Sequence, residues 1–116
     1  MANLRKLLRD ATLGKKAQFK EKTINLEDQD FVIRQPNLRD RQALIEKSRN
    51  KQGEMDMVSF LIQSVILCTY TPEGERVFEQ EDVDAMLNLP AGSFVEKLGN
   101  EIAELMAVDE EAEVKN

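Results

Sequence analysis

The stretch EMDMVSFLIQSVILCTY, residues 54–70, decides how the rest of the chain is arranged. It is the most apolar segment of the sequence, and it admits two readings. Val65, Ile66, Thr69 and Tyr70 are good strand formers, so SVILCTY could be a buried strand. The run is long, however, and its polar residues Asp56, Ser59 and Gln63 recur at i, i+3 and i+7, one narrow stripe on a helix. Length and spacing together predict a central helix, surrounded on most sides by other elements.

The flanking segments supply those elements. SFVEKLGNEIAELMAV carries Phe94, Val95, Leu98, Ile102, Leu105 and Met106 on a stripe of period 3.6, the mark of a final helix. Between the two lies CTYTPEGERVFEQEDVDAMLNLP, residues 68–90. Within it, TPEG is a turn, because Pro72 presets φ and Gly74 tolerates a positive φ. ERVF is extended, and EDVDAMLNL is a short helix with Val83, Met86 and Leu87 on one side, stopped by Pro90.

Upstream of the central stretch, Asn37 caps a helix LRDRQALIEKSRN, with Asp40 placed to complement the helix dipole. Leu38, Leu44 and Ile45 form its apolar stripe, while Arg39, Arg41, Lys47 and Arg49 face water; NKQGE then breaks the chain. In FKEKTINLEDQDFVIRQP the period changes. Ile24 and Leu26, then Phe31 and Ile33, alternate with polar residues around the connector EDQD, a β-hairpin closed by Pro36. A lone hairpin is marginal in water and must pack on something. At the start, NLRKLLRDATLG predicts a short helix with Asn3 as N-cap, Leu4, Leu7, Leu8 and Ala11 on one face, and Gly14 at its end. Basic amphipathic helices can lie on membranes, but this one spans about three turns and lacks Trp and Phe, so docking on its own domain is expected.

Composition narrows the chemistry. With 116 residues the chain fits one domain that buries roughly two-thirds of its unfolded surface. Hydrophobic residues make up 41% and aromatics only 5%, so the core is built from Leu, Ile, Val and Met. The sequence has no histidine, which removes the commonest general base and metal ligand and excludes Ser-His-Asp and Cys-His catalysis. A single cysteine suits a reducing compartment. No apolar run is long enough to span a membrane, and the N-terminus does not resemble a secretory signal. Charge is bipolar: residues 1–50 carry twelve Lys/Arg against seven Asp/Glu, and residues 51–116 carry four against fifteen. Such a chain can stack head to tail or offer its acidic half to a basic partner, although solvated faces alone also account for it.

Each candidate site has a structural alternative. Cys68 follows an apolar run, and nothing near it in sequence would activate a thiol. The carboxylates Glu79, Glu81, Asp82 and Asp84 lack the order of an EF-hand loop; they fit a helix start, with Phe78 packing one turn in as a hydrophobic staple. The five glycines, 14, 53, 74, 92 and 99, are dispersed, so they mark element boundaries rather than a phosphate loop. NLRDRQALIEKSRNK is basic enough to raise DNA binding, but no second helix follows at helix-turn-helix spacing and the whole chain is acidic.

The order of elements resembles the tail assembly chaperones of long-tailed bacteriophages. The likeness lies in the V-x-R-x-P segment Val32 to Pro36 ahead of a charged helix, a helix ending in Cys68, and a turn containing Gly74. It continues in Phe78, Glu81, Asp82, Val83, Met86, Leu87 and Pro90. It departs where members often place Ser, Thr or Asp as the helix cap, since here Glu79 is followed by Gln80. The resemblance covers nearly the whole chain. It implies a protein made in the host cytoplasm and absent from the mature virion, which keeps the tape-measure protein soluble and helps recruit tail-tube subunits. It also implies a short form whose frame can shift near its end, and the Lys115-Asn116 ending permits an A-rich slippery site.

The expectation from sequence is therefore a mainly α, small helical domain with a short N-terminal β-hairpin, α+β at the margin. Residues 1–108 form one domain and residues 109–116 an acidic tail, frayed or disordered. The expected action is binding, not catalysis, with no cofactor and no metal. The expected partners are the tape-measure protein, the tail-tube protein and further copies of the chain, with no nucleic acid and no membrane. Phe94, Leu98, Ile102 and Leu105 are the candidate partner contacts, with core packing as their competing role. The alternative is a small DNA-binding or antitoxin-like regulator that uses the basic N-terminal half.

Overall fold

The computed structural model describes residues 3–14 and 18–107. The expected acidic tail 109–116 lies outside the described residues. The central stretch takes its helical reading, and only its last two residues are strand. Residues Met57–Cys68 form helix α3, and the chain passes at once into a strand, β3, at Thr69–Tyr70. Asp56 caps the helix, its Oδ1 accepting from the N–H of Val58 and of Ser59 at 3.0 and 3.2 Å. From Ile62 to Cys68 most of the helix is buried, but Met57 and Val58 in the first turn are exposed. The helix is therefore surrounded along its C-terminal two-thirds only.

The chain is mainly α with a small antiparallel sheet. Strands β1 (Glu21–Leu26) and β2 (Gln29–Arg34) form the expected hairpin, and β3 pairs with β2, giving the order β1-β2-β3. The connector is shorter than EDQD: Leu26 pairs with Gln29, so only Glu27 and Asp28 turn the chain. Both adopt positive φ, 52° and 64°, the two-residue geometry that matches strand twist and usually calls for Asn-Gly.

What the hairpin packs on is helix α5 (Phe94–Met106). Phe31 meets Phe94 with ring centroids 5.1 Å apart and planes inclined at 54°. Lys22 Nζ reaches Glu101 Oε2 at 2.6 Å, and Gln35 Nε2 donates to the carbonyl of Leu105 at 2.8 Å. Ile24, Ile33, Ile62, Val65, Ile66, Cys68, Met86, Leu98 and Ile102 form one core between sheet, α3 and α5.

Helix α2 (Leu38–Lys47) covers a second side of α3 through buried Leu44. Asn37 caps it, accepting from the N–H of Asp40 at 2.7 Å. Its stripe is narrower than expected. Leu38 lies in the first turn and is 76% exposed. Arg41 does not face water fully; it is half-buried, its stem lying along apolar neighbours. A turn at residues 50–54, organised by Asn50 Oδ1, returns the chain to α3.

After β3, Arg76 makes a bridge with Tyr70. A 3-10 turn, Gln80–Asp82, then leads into helix α4 (Val83–Leu87), which buries Met86. The side-chain amides of Gln63 and Gln80 donate to one another, at 3.0 and 2.6 Å, and fasten this turn to α3.

Helix α1 (Leu4–Leu13) forms as the sequence predicts, with Asn3 accepting from the N–H of Lys6 at 3.2 Å. It does not dock on its own domain. None of its residues is buried, and Leu4, Leu7, Leu8 and Leu13 are 56–70% exposed.

Candidate partner-binding surface

The final helix brings Phe94, Leu98, Ile102 and Leu105 onto one face, as their spacing requires, and turns that face inward. Leu98 and Ile102 are wholly buried in the core; Phe94 and Leu105 are half-buried and pack against it. One core thus absorbs most of the stripe, and Leu98 and Ile102 present no surface to a partner. Burial is this deep because α3 and α5 approach closely at Gly99. A Cβ placed there would lie 2.5 Å from Leu61 Cγ. Gly99 is therefore a contact residue, not a boundary marker, whereas Gly53, Gly74 and Gly92 sit in turns with positive φ.

Two open, largely apolar depressions lie around the first turn of α3. On one side, Ile45, Met55, Met57, Phe60, Ala103 and Met106 line a shallow depression of about 380 Å³ between α2, α3 and α5. Met55 and Met57 on its rim are exposed, and Arg41 closes one edge. On the other side, Val58, Leu61, Met86, Leu87, Leu89 and Val95 line a groove of about 270 Å³ between α3, α4 and the start of α5. Glu96 borders this groove, and no Lys or Arg lines it. Sequence reasoning missed both. The signal was present in Met55, Met57 and Val58, apolar residues at the N-terminal end of a helix whose other side chains already fill a core.

The residues considered for chemistry take structural places. Cys68 is buried, and that burial pushes its thiol pKa up to about 12, away from the reactive thiolate. Glu79 serves as the cap of the 3-10 turn: its N–H donates to Asp82 Oδ2 at 2.8 Å. Phe78 and Val83, on either side of that turn, both pack against the core as a staple would. Glu81 lies beside Glu79, and their side-chain hydrogen bond, with repulsion from Glu79 and Asp82, raises its pKa above the usual carboxylate value. Among the described residues no group of three or more Cys, Asp or Glu is placed to hold a metal ion. Thr69 Oγ1 is buried with no hydrogen-bond partner.

Several cations of the N-terminal half are paired within the chain: Lys22 with Glu101, Arg34 with Glu21 at 3.7 Å, and Arg49 with Glu46 at 3.4 Å. Arg34 also lies over the Phe19 ring, 4.3 Å from its centroid. Among the described residues no helix is long and apolar enough to cross a membrane.

No protein-family profile and no curated protein sequence matches the chain. The architecture, in contrast, is similar to a solved structure described as that of the bacteriophage HK97 tail assembly chaperone. The TM-score is 0.55 at 16% identity, and the match covers 88% of this chain and 99% of the other. The two share a fold.

Proposed function

We propose that this protein is a phage tail assembly chaperone: a non-catalytic binder, acting in the host cytoplasm and left out of the finished virion. It holds the long helical tape-measure protein soluble and helps bring tail-tube subunits to it. The observation that carries this reading is the open depression lined by Ile45, Met55, Met57, Phe60, Ala103 and Met106, of which only Met106 also packs against the core. Exposed apolar surface of this kind on a small protein marks a contact site. A groove between helices suits an amphipathic helix, and methionine adapts to sequences that vary along a long client. The fold shared with the HK97 protein supports the same role. Phe94 and Leu105, which keep part of their surface, are secondary contacts; Leu98 and Ile102 act from inside, by setting how closely α3 and α5 pack.

The test is co-expression with a tape-measure protein. The full chain should keep the client soluble and co-purify with it, and Met57→Asp should abolish both while the fold is retained. A client that is equally soluble with and without the chain would overturn the proposal. Tight, salt-sensitive retardation of duplex DNA in a gel would favour the rival regulator reading instead.

A further inference from the structure

Among the described residues Leu38 is the most exposed large apolar side chain, at 76%. Phe19 is also open, and both line a second depression, of about 300 Å³, at the start of α2. This depression adjoins the methionine-lined one, because Arg41 and Met106 belong to both walls. Leu38, Arg41 and Ile45 follow one another at i, i+3 and i+7 on α2, so they share one face of that helix over roughly 10 Å. The two depressions therefore make one trough along that face, apolar at both ends.

Arg41 sits between the two ends. Among the described residues it is the one charged side chain in either lining, and it makes no ion pair. It is half-buried. A guanidinium that has given up part of its hydration gains most from a carboxylate, which it can hold through two parallel hydrogen bonds. One cation between two apolar ends specifies its complement: a helix with apolar residues two turns apart and an Asp or Glu between them on the same face.

We infer that this trough receives an amphipathic helix of another protein with an apolar–acidic–apolar stripe, its carboxylate on Arg41 and its apolar residues on Leu38 at one end and Met57 at the other. The inference rests on the chaperone reading and deepens it. The chain selects segments of its client by a carboxylate set within the apolar stripe, not by hydrophobicity alone. A stripe with Lys or Arg at the middle position is rejected, because two cations would meet where water is partly excluded.

Fluorescence anisotropy with designed helical peptides of about 18 residues tests it on the full-length chain. One peptide carries Leu, Glu and Leu at i, i+4 and i+7 on a background of Ala and Gln; two others carry Gln or Lys in place of the Glu. The wild type should bind the Glu peptide about tenfold more tightly than the Gln peptide, and the Lys peptide least. Arg41→Glu should reverse the order of the Glu and Lys peptides, which loss of folding cannot do. Leu38→Ser, at an exposed position, should weaken the Glu peptide about tenfold while circular dichroism and thermal midpoint stay unchanged. Equal affinity for the three peptides, or no binding, overturns the inference. So does tighter peptide binding once Asp109, Glu110, Glu111 and Glu113 are all replaced by their amides, because the occupant is then the chain's own acidic segment. Peptide binding that disappears when the chain self-associates assigns the trough to a second copy and overturns it as well. The peptides contain no client sequence. Failure here leaves the client-solubility assay standing, and a client left insoluble leaves the peptide result standing, so the two readings fail separately.

Discussion

Leu61 lies directly over Gly99, where a Cβ added to the glycine would stand 2.5 Å from Leu61 Cγ and 3.1 Å from both of its methyl carbons. The branch point of the leucine, not a flexible end, fills the space, so the leucine cannot simply swing aside. Two effects of Gly99→Ala then oppose each other. Alanine favours a helix interior by about 1 kcal/mol over glycine. Overpacking a tight helix contact costs about 1–3 kcal/mol. The contact should win, and Gly99→Ala should lower the thermal midpoint. The double variant Leu61→Ala/Gly99→Ala should be less destabilised than the sum of the two single changes, which denaturant titration of all four chains would read.

The hairpin turn offers the opposite experiment. Glu27 and Asp28 both hold positive φ without being glycine. Replacing them by Asn-Gly supplies residues suited to that geometry. Stability should rise by roughly 1 kcal/mol, because the left-handed conformation costs about that for an ordinary side chain. An unchanged or lowered denaturation midpoint would mean that the turn is not under strain.

Thr69 stands at the junction of α3 and β3 with its hydroxyl buried and unpartnered. Thr69→Val keeps the shape and removes the orphan group. It should stabilise by about 1 kcal/mol. Thr69→Ser keeps the hydroxyl and deletes a buried methyl, so it should destabilise; the contrast between the two separates polarity from packing.

Burial of Cys68 has a kinetic signature. With its pKa pushed up to about 12, the native thiol is protonated at neutral pH and shielded from solvent. A thiol reagent should therefore modify the protein only as fast as the core opens, and the rate should rise with denaturant. Rapid modification without denaturant would contradict the packing described here.

The carboxylates at the 3-10 turn set a pH dependence. Glu81 has its pKa raised by its hydrogen bond and repulsion with Glu79 and by repulsion from Asp82. For a carboxyl raised on folding, the stabilising contribution is present below its unfolded pKa and is lost as pH rises through the folded one. Glu81→Gln should thus be more stable than the wild type at pH 7, and the difference should vanish as pH falls below the ordinary glutamate range. Thermal melts of both chains across that interval would show it.

How much of this was written in the sequence differs from element to element. The caps Asn3 and Asn37 and the alternation of Ile24 and Ile33 are local signals, and the structure follows them. The inward turn of Leu98 and Ile102 was legible as a stripe, but which way a stripe faces depends on what else covers it. Three features depend on what lies elsewhere in the fold. The strand character of Thr69 and Tyr70 is realised because β2 offers them an edge at Ile33 and Val32. The role of Gly99 exists only because Leu61 lies opposite. The exposure of α1 is not encoded in its amphipathic pattern, which would serve a docked helix equally well. Leu38 and Arg41 exchanged their expected environments: Leu38 is exposed, and Arg41 is half-buried beside Ile45, Met57 and Phe60.

The passage from Cys68 to Thr69 without an intervening loop has a further consequence. A helix and a strand joined directly have no hinge between them, and β3 is held by β2 on one side and by the Tyr70–Arg76 bridge on the other. The amide hydrogens of Val65, Ile66 and Cys68 and those of Val32 and Ile33 therefore belong to one cooperative unit. Helix and sheet would surrender their protons to deuterium together, at the rate set by global opening, while α1 exchanges ahead of them.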